Sequence, residues 1–143
     1  MATEVCGDNP ALLQVIDNAP LQTLPETDGC LKSKIDAAAA NPAKQLNLQW
    51  ATEFAARFAS SAIYDDLLAL YRRSGGTWDK QAQGYILGYF MRWDPHRGLP
   101  LLESALSISA AKLDFCLLYA LNRAYSPSLE PVWRRPIASA PPE

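Results

Sequence analysis

Between Trp78 and Trp93, the residues Trp78, Ala82, Tyr85, Ile86, Tyr89, Phe90 and Trp93 recur at helical spacing. That spacing gathers them on one stripe of an α-helix and would split them between the two faces of a strand. A second pattern of the same kind fills residues 43–60. Leu46, Trp50, Phe54 and Phe58 lie four apart, beside a stripe of mostly small residues, Leu48, Ala51, Ala55 and Ala59. Two broad apolar faces predict a helix packed on two sides. No stretch alternates as a strand between hairpin turns. The chain is therefore read as all-α.

Caps and stops divide the remainder. Asn9-Pro10 starts a short first helix to about Asn18, because a capping side chain precedes a residue whose missing N–H costs nothing there. Thr27 or Asp28 caps a helix through Leu31, Ile35 and Ala37–Ala40, and Asn41-Pro42 ends it. After the tight turn Ser60-Ser61, residues Ile63, Leu67, Leu70 and Tyr71 face a core. Arg72-Arg73 suit a helix C-terminus, and Gly75-Gly76 supplies a left-handed stop. Thr77 caps the next helix, in which Gly84 and Gly88 predict close approach of a neighbour. Asp94-Pro95 repeats the cap-then-proline start, with Leu99, Leu102, Ala105 and Leu106 facing inward until a turn at Ser107–Ala110. Leu113, Cys116, Leu117, Ala120, Leu121 and Ala124 form another stripe. Ser126-Pro127 starts a last short helix, and Pro136–Glu143 reads as a frayed end or linker. Three domains of expectation follow: a turn-rich segment 1–26 with one short helix, a helical-repeat domain 27–137 and a tail 138–143. Short connections predict antiparallel neighbours.

The junction from Leu99 to Leu121 carries a family likeness. Leu99-Pro100-Leu101-Leu102, then Leu106, a short turn, and Leu113, Cys116, Ala120 and Leu121 resemble a HEAT repeat boundary, where LPxLxxxL precedes apolar residues and an Ala-Leu pair. Leu67-Leu68 and Leu101-Leu102 are 34 residues apart, as are Tyr85 and Tyr119. Ile108 and Asp114 stand where the family usually has an Asp and an Arg. The resemblance implies antiparallel helix pairs, at residues 43–73, 77–108 and 110–137, stacked as a short right-handed α-solenoid.

Chemistry is sparse. The cysteines Cys6, Cys30 and Cys116 form no CxxC pair, and His96 is the single histidine, which argues against a Cys/His zinc site. Cys116 reads as a core residue. Cys6 and Cys30 either staple the N-terminal stretch as a disulfide or remain two thiols. His96, between Pro95 and Arg97, reads as an exposed turn histidine in preference to a general base. Asp65-Asp66 point about 100° apart on a helix and do not converge on a substrate. Gly75-Gly76 lacks the lysine and spacing of a phosphate loop. No catalytic, metal or cofactor set emerges.

With 13 Lys/Arg against 15 Asp/Glu, the chain has no basic field to gather nucleic acid. No apolar run reaches the ~20 residues of a membrane span. Residues 1–8 lack the basic and apolar regions of an intact signal peptide. The compartment expected is exported or periplasmic if Cys6–Cys30 is oxidised and cytoplasmic otherwise. Arg72, Arg73, Arg92, Trp93, His96 and Arg97, of types enriched at interfaces, gather at helix ends as a candidate binding surface. The expected partner is another protein, engaged by a non-catalytic interaction or scaffold module. The alternatives are a helical-repeat enzyme or nucleic-acid module of the glycosylase kind, and a small helical immunity or inhibitor protein.

Overall fold

The computed structural model describes residues 23–109 and Ala120, with the backbone alone for Pro42 and residues 106–109. The expected helix at Pro10–Asn18, the stripe Leu113–Ala124 apart from the buried Ala120, the helix after Ser126-Pro127 and the tail lie outside these residues. So do Cys6 and Cys116.

Helix α1, Asp28–Ala39, combines alanines of high helix propensity with a narrow apolar stripe. Leu31, Ile35 and Ala38 on that stripe are buried. Asn41 then caps a 3₁₀ turn, Pro42–Lys44, by accepting the Ala43 N–H at 3.0 Å. Helix α2, Gln45–Phe58, is buried at every residue from Ala51 to Phe58. Both stripes read from its sequence therefore find neighbours from Ala51 onward, whereas Leu46, expected on the first stripe, is exposed. Glu53 and Arg57 are buried with it, one helical turn apart, with a nitrogen–oxygen distance of 3.8 Å. The Thr52 hydroxyl donates back to the Leu48 carbonyl at 2.7 Å, as a buried hydroxyl must.

Helix α3, Tyr64–Ser74, has a narrower apolar face made of Tyr64, Leu67, Leu68 and Leu70. Helix α4, Lys80–Trp93, is buried from Ala82 to Met91, including Gly84 and Gly88. Helix α5, Pro95–Ser109, carries Pro100 within it and turns Leu102 and Ala105 inward. Among the described residues there is no strand.

Helix α2 packs against α1 and α4, and α4 packs in turn against α5. Helix α3 rests on α1, on α4 and on the turn Gly75–Thr77. The spatial order of neighbours is thus α1, α2, α4, α5. Helices α2 and α3, expected together as the pair 43–73, are not each other's main neighbours. The physical reason is the width of their apolar faces. Helix α2 is buried on all sides from Ala51 to Phe58 and takes a helix on each side, whereas α3 exposes Asp65, Asp66, Arg72 and Arg73.

Three local expectations are corrected. Gly75 is right-handed, with φ −59° and ψ −28°, and no described glycine has a positive φ. What requires glycine there is space, because a Cβ would overlap the Tyr71 ring. Asp79, not Thr77, caps α4: its carboxylate accepts the Gln81 and Ala82 N–H groups, while the Thr77 hydroxyl donates to the Ser74 carbonyl. Helix α5 also continues through Ser107 to Ser109, past the expected turn. The Asp94-Pro95 start holds, with the Asp94 carboxylate accepting the Arg97 N–H at 3.3 Å. Gly98, next to that start, would place a Cβ 3.0 Å from the Phe90 carbonyl carbon. The first turn of α5 therefore lies directly on the end of α4.

Candidate functional site

The six residues proposed as a surface occupy different settings. Arg92 and Trp93 point inward at the end of α2. Two Arg92 nitrogens are used: Nη1 donates to the Ala56 and Arg57 carbonyls (3.0 and 3.2 Å), and Nη2 donates to Thr23 Oγ1 (2.8 Å). The Trp93 indole N–H donates to the Ala59 carbonyl at 3.1 Å, beneath the Arg92 guanidinium. The Leu24 N–H meets the Phe58 carbonyl and the Tyr89 hydroxyl meets the Ser60 carbonyl, at 2.7 and 2.6 Å. The last turn of a helix leaves carbonyls without intrahelical partners. Here successive carbonyls from Ala56 to Ser60 receive donors from outside the helix. Asp28 closes the corner by accepting the Ser60 N–H at 2.8 Å and the Ser60 hydroxyl.

Arg97 is engaged as well. It lies 4.3 Å over the Tyr64 ring, donates to Asp94 at 2.8 Å and pairs with Asp65. The Arg97 hydrogen bonds hold the Asp94 carboxyl below its usual range. Burial, reinforced by Asp94, pushes the Tyr64 phenol up to about 12. Burial likewise pulls the Arg92 guanidinium below its ordinary value and raises Tyr89. These shifts record helix-to-helix fastening.

Arg72, Arg73 and His96 remain exposed. Of them, Arg72 belongs to a groove of about 350 Å³ at the other end of α4, bounded by Tyr71, Gly76, Lys80, Gln83, Leu101, Ser104 and Ala105. The local sequence builds it stepwise. Gly75 makes room for Tyr71, whose ring stands edge-on to Trp78 and Phe90 at centroid distances of 5.7 and 5.8 Å. The Asp79 cap, fastened to α2 through Gln45 and Gln49, sets Lys80 at the first helical position of α4. Leu101 and Ala105, one turn apart on α5, supply the apolar wall.

The polar groups of this groove are mostly donors: the Tyr71 hydroxyl, Arg72, Lys80 and the Ser104 hydroxyl. Among the described residues no carboxylate pairs with Arg72 or Lys80. Gln83 lines the groove but is buried, and it gives its amide nitrogen to the Trp78 carbonyl at 2.8 Å, which leaves its amide oxygen as an acceptor. Such a lining binds and orients an acceptor-rich group; it contains no nucleophile-and-base arrangement. Sequence reasoning found Arg72 from its place at a helix end. It missed Lys80, Gln83 and Ser104, which no shared spacing links. Elsewhere, Cys30 on α1 is disulfide-bonded.

Among the described residues no helix is long and apolar enough to cross a membrane. No known family, curated protein or solved structure matches the chain.

Proposed function

We propose that this chain is a non-catalytic protein–protein interaction or scaffold module, built from HEAT-like helix pairs stacked as a short right-handed α-solenoid. The observation that carries the interaction role is the groove beside Lys80. Its cations pair with no carboxylate among the described residues, whereas Arg92 and Trp93 at the other end of α4 already give their donors to carbonyls. Sites held on rigid elements lose little entropy when they bind. The inward register of Leu102 and Ala105, with Pro100 exposed, supports the HEAT-like junction. The disulfide at Cys30 supports an exported or periplasmic setting, with Cys6 as its proposed partner.

A photo-crosslinking amino acid at Gly76, where a side chain meets open space, tests the interaction role in the source cell. Gly29, equally open but on α1, is the control. A protein adduct from Gly76 and none from Gly29 is expected. Equal yields from both sites, or none from either, would remove the interaction role from this face. An experimental structure of the full chain tests the solenoid: residues 110–137 must form a pair stacked on α5.

A further inference from the structure

Resting on the interaction-module role, we propose that the groove between the end of α3 and the start of α4 binds a short acidic peptide segment of the partner, seating a Glu or Asp side chain between Arg72 and Lys80.

Charge complementarity carries the choice. The chain holds more carboxylates than cations, 15 against 13, so acidic residues are not scarce. Several of them pair with cations elsewhere: Lys32 meets Asp66, Arg57 meets Glu53, and Arg97 meets Asp65 and Asp94. Arg72 and Lys80 line one concavity and are left without such a partner among the described residues. The nearest carboxylate to Lys80 in sequence, Asp79, is committed to capping α4 and to Gln49. An incoming carboxylate would therefore meet two cations and the Tyr71 and Ser104 hydroxyls with little competition.

Two further features select a peptide over a bare anion. Gln83, which lines the groove, keeps an amide oxygen as an acceptor that a peptide backbone N–H can use and a fully deprotonated anion cannot. Leu101 and Ala105 offer an apolar wall to a side chain neighbouring the carboxylate. The volume, about 350 Å³, stands at the low end of ligand sites, roughly 300–1,000 Å³, and suits a short segment.

The test is a selection of a random dodecapeptide display library on the immobilised full chain, set beside the R72E/K80E double variant. Circular dichroism and thermal melts first verify that the variant is folded. Enriched peptides should carry Glu or Asp next to Leu or an aromatic residue. Synthetic versions should lose about tenfold or more in affinity on Glu→Gln substitution, and comparably on the double variant. Lys32→Glu, an exposed charge reversal on α1, which contributes nothing to the groove lining, should leave affinity unchanged. Peptides that bind wild type and double variant equally would overturn the groove proposal while leaving an interaction module standing. Absence of enrichment on either protein would count against both. Displacement by inorganic phosphate alone at the same concentration as the acidic peptide would show a simple anion site instead, and duplex DNA binding lost in R72E/K80E would show a nucleic-acid site; either result overturns the peptide proposal.

Discussion

At the C-terminal end of α4, Tyr89, Arg92 and Trp93 each give their donors to carbonyls on the last turn of α2 or just beyond it. At the N-terminal end of the same helix, Lys80 stands with Tyr71 and Arg72 around a groove, and no carboxylate of the described chain pairs with either cation. The residue types are nearly the same: a tyrosine, a cation, an aromatic neighbour. What separates the two ends is whether the fold supplies acceptors. A donor buried against a helix C-terminus exchanges water for orphan carbonyls and fastens two helices. A donor left at a rim keeps its capacity for a ligand. Residue type alone does not mark a binding site; the accounting of acceptors does.

The largest expected effect tests the fastened end. Arg92→Ala removes three hydrogen bonds and leaves the Ala56 and Arg57 carbonyls without their outside donor. A cost of about 3 kcal/mol is expected, since hydrogen bonds to charged groups are the stronger ones and a buried acceptor left alone is costly. Urea unfolding should show it as a lower midpoint at constant slope. The matching change at the open end, Arg72→Ala, should stay within about 0.5 kcal/mol. Similar losses from the two would erase the distinction.

Next in size is a pair of glycines. Gly98→Ala drives a Cβ to 3.0–3.1 Å from backbone atoms of Phe90 and Met91, which cannot swing aside as a side chain would. About 2 kcal/mol of destabilisation is expected from such overpacking. Gly76→Ala meets nothing within 4 Å and has no positive φ to lose, so it should be neutral or stabilise by about 0.4–1 kcal/mol through the unfolded chain. Thermal melts of the two variants suffice to check the opposite signs.

Much of this architecture was legible. The two stripes of α2 announced burial on both sides, and Ala51–Phe58 is buried throughout. The stripe of α4 placed Trp78, Tyr85 and Tyr89 in the core, where all three lie. The Asp94-Pro95 start and the Asn41-Pro42 stop needed only neighbouring residues and were read correctly. Most of the misses were decided by a contact distant in sequence. Asp79 caps α4 in part because Gln45 and Gln49, over 29 residues earlier, hold it there. Arg92 and Trp93 looked like surface residues because the carbonyls they serve lie 34–36 residues back. Gly75 obeys the Tyr71 ring and not a left-handed stop. The groove joins three helices that share no motif, so only Arg72 could be singled out beforehand.

The tyrosines sharpen the comparison further. Tyr89→Phe removes a donor from the Ser60 carbonyl and should cost about 1 kcal/mol, whereas Tyr71→Phe, whose hydroxyl has no partner among the described residues, should cost less and weaken acidic-peptide binding. Tyr64 adds a pH signature at the fastened end. Its phenol titrates near 12 in the folded chain against an ordinary value of 10, so the unfolded chain releases that proton first. Its contribution is whole below pH 10 and is lost as pH rises toward about 12. Unfolding midpoints across that range should fall more steeply in wild type than in Tyr64→Phe; parallel slopes would refute the assignment.

The smallest expected effect has the opposite sign, and it bears most directly on why the open end exists. Lys80 occupies the first position of α4, where the helix dipole favours a negative charge. A lysine there works against the helix, and Lys80→Glu should stabilise the protein by about 0.3–1 kcal/mol in thermal melts at low salt. The gain should shrink as salt rises, because the position is partly exposed. The same substitution should abolish acidic-peptide binding. Under the proposed peptide binding, a less stable residue kept at this groove is the expected trade of stability for recognition. A loss of stability in Lys80→Glu would mean that Lys80 supports the fold, and the contrast between the two ends of α4 would then be one of geometry alone.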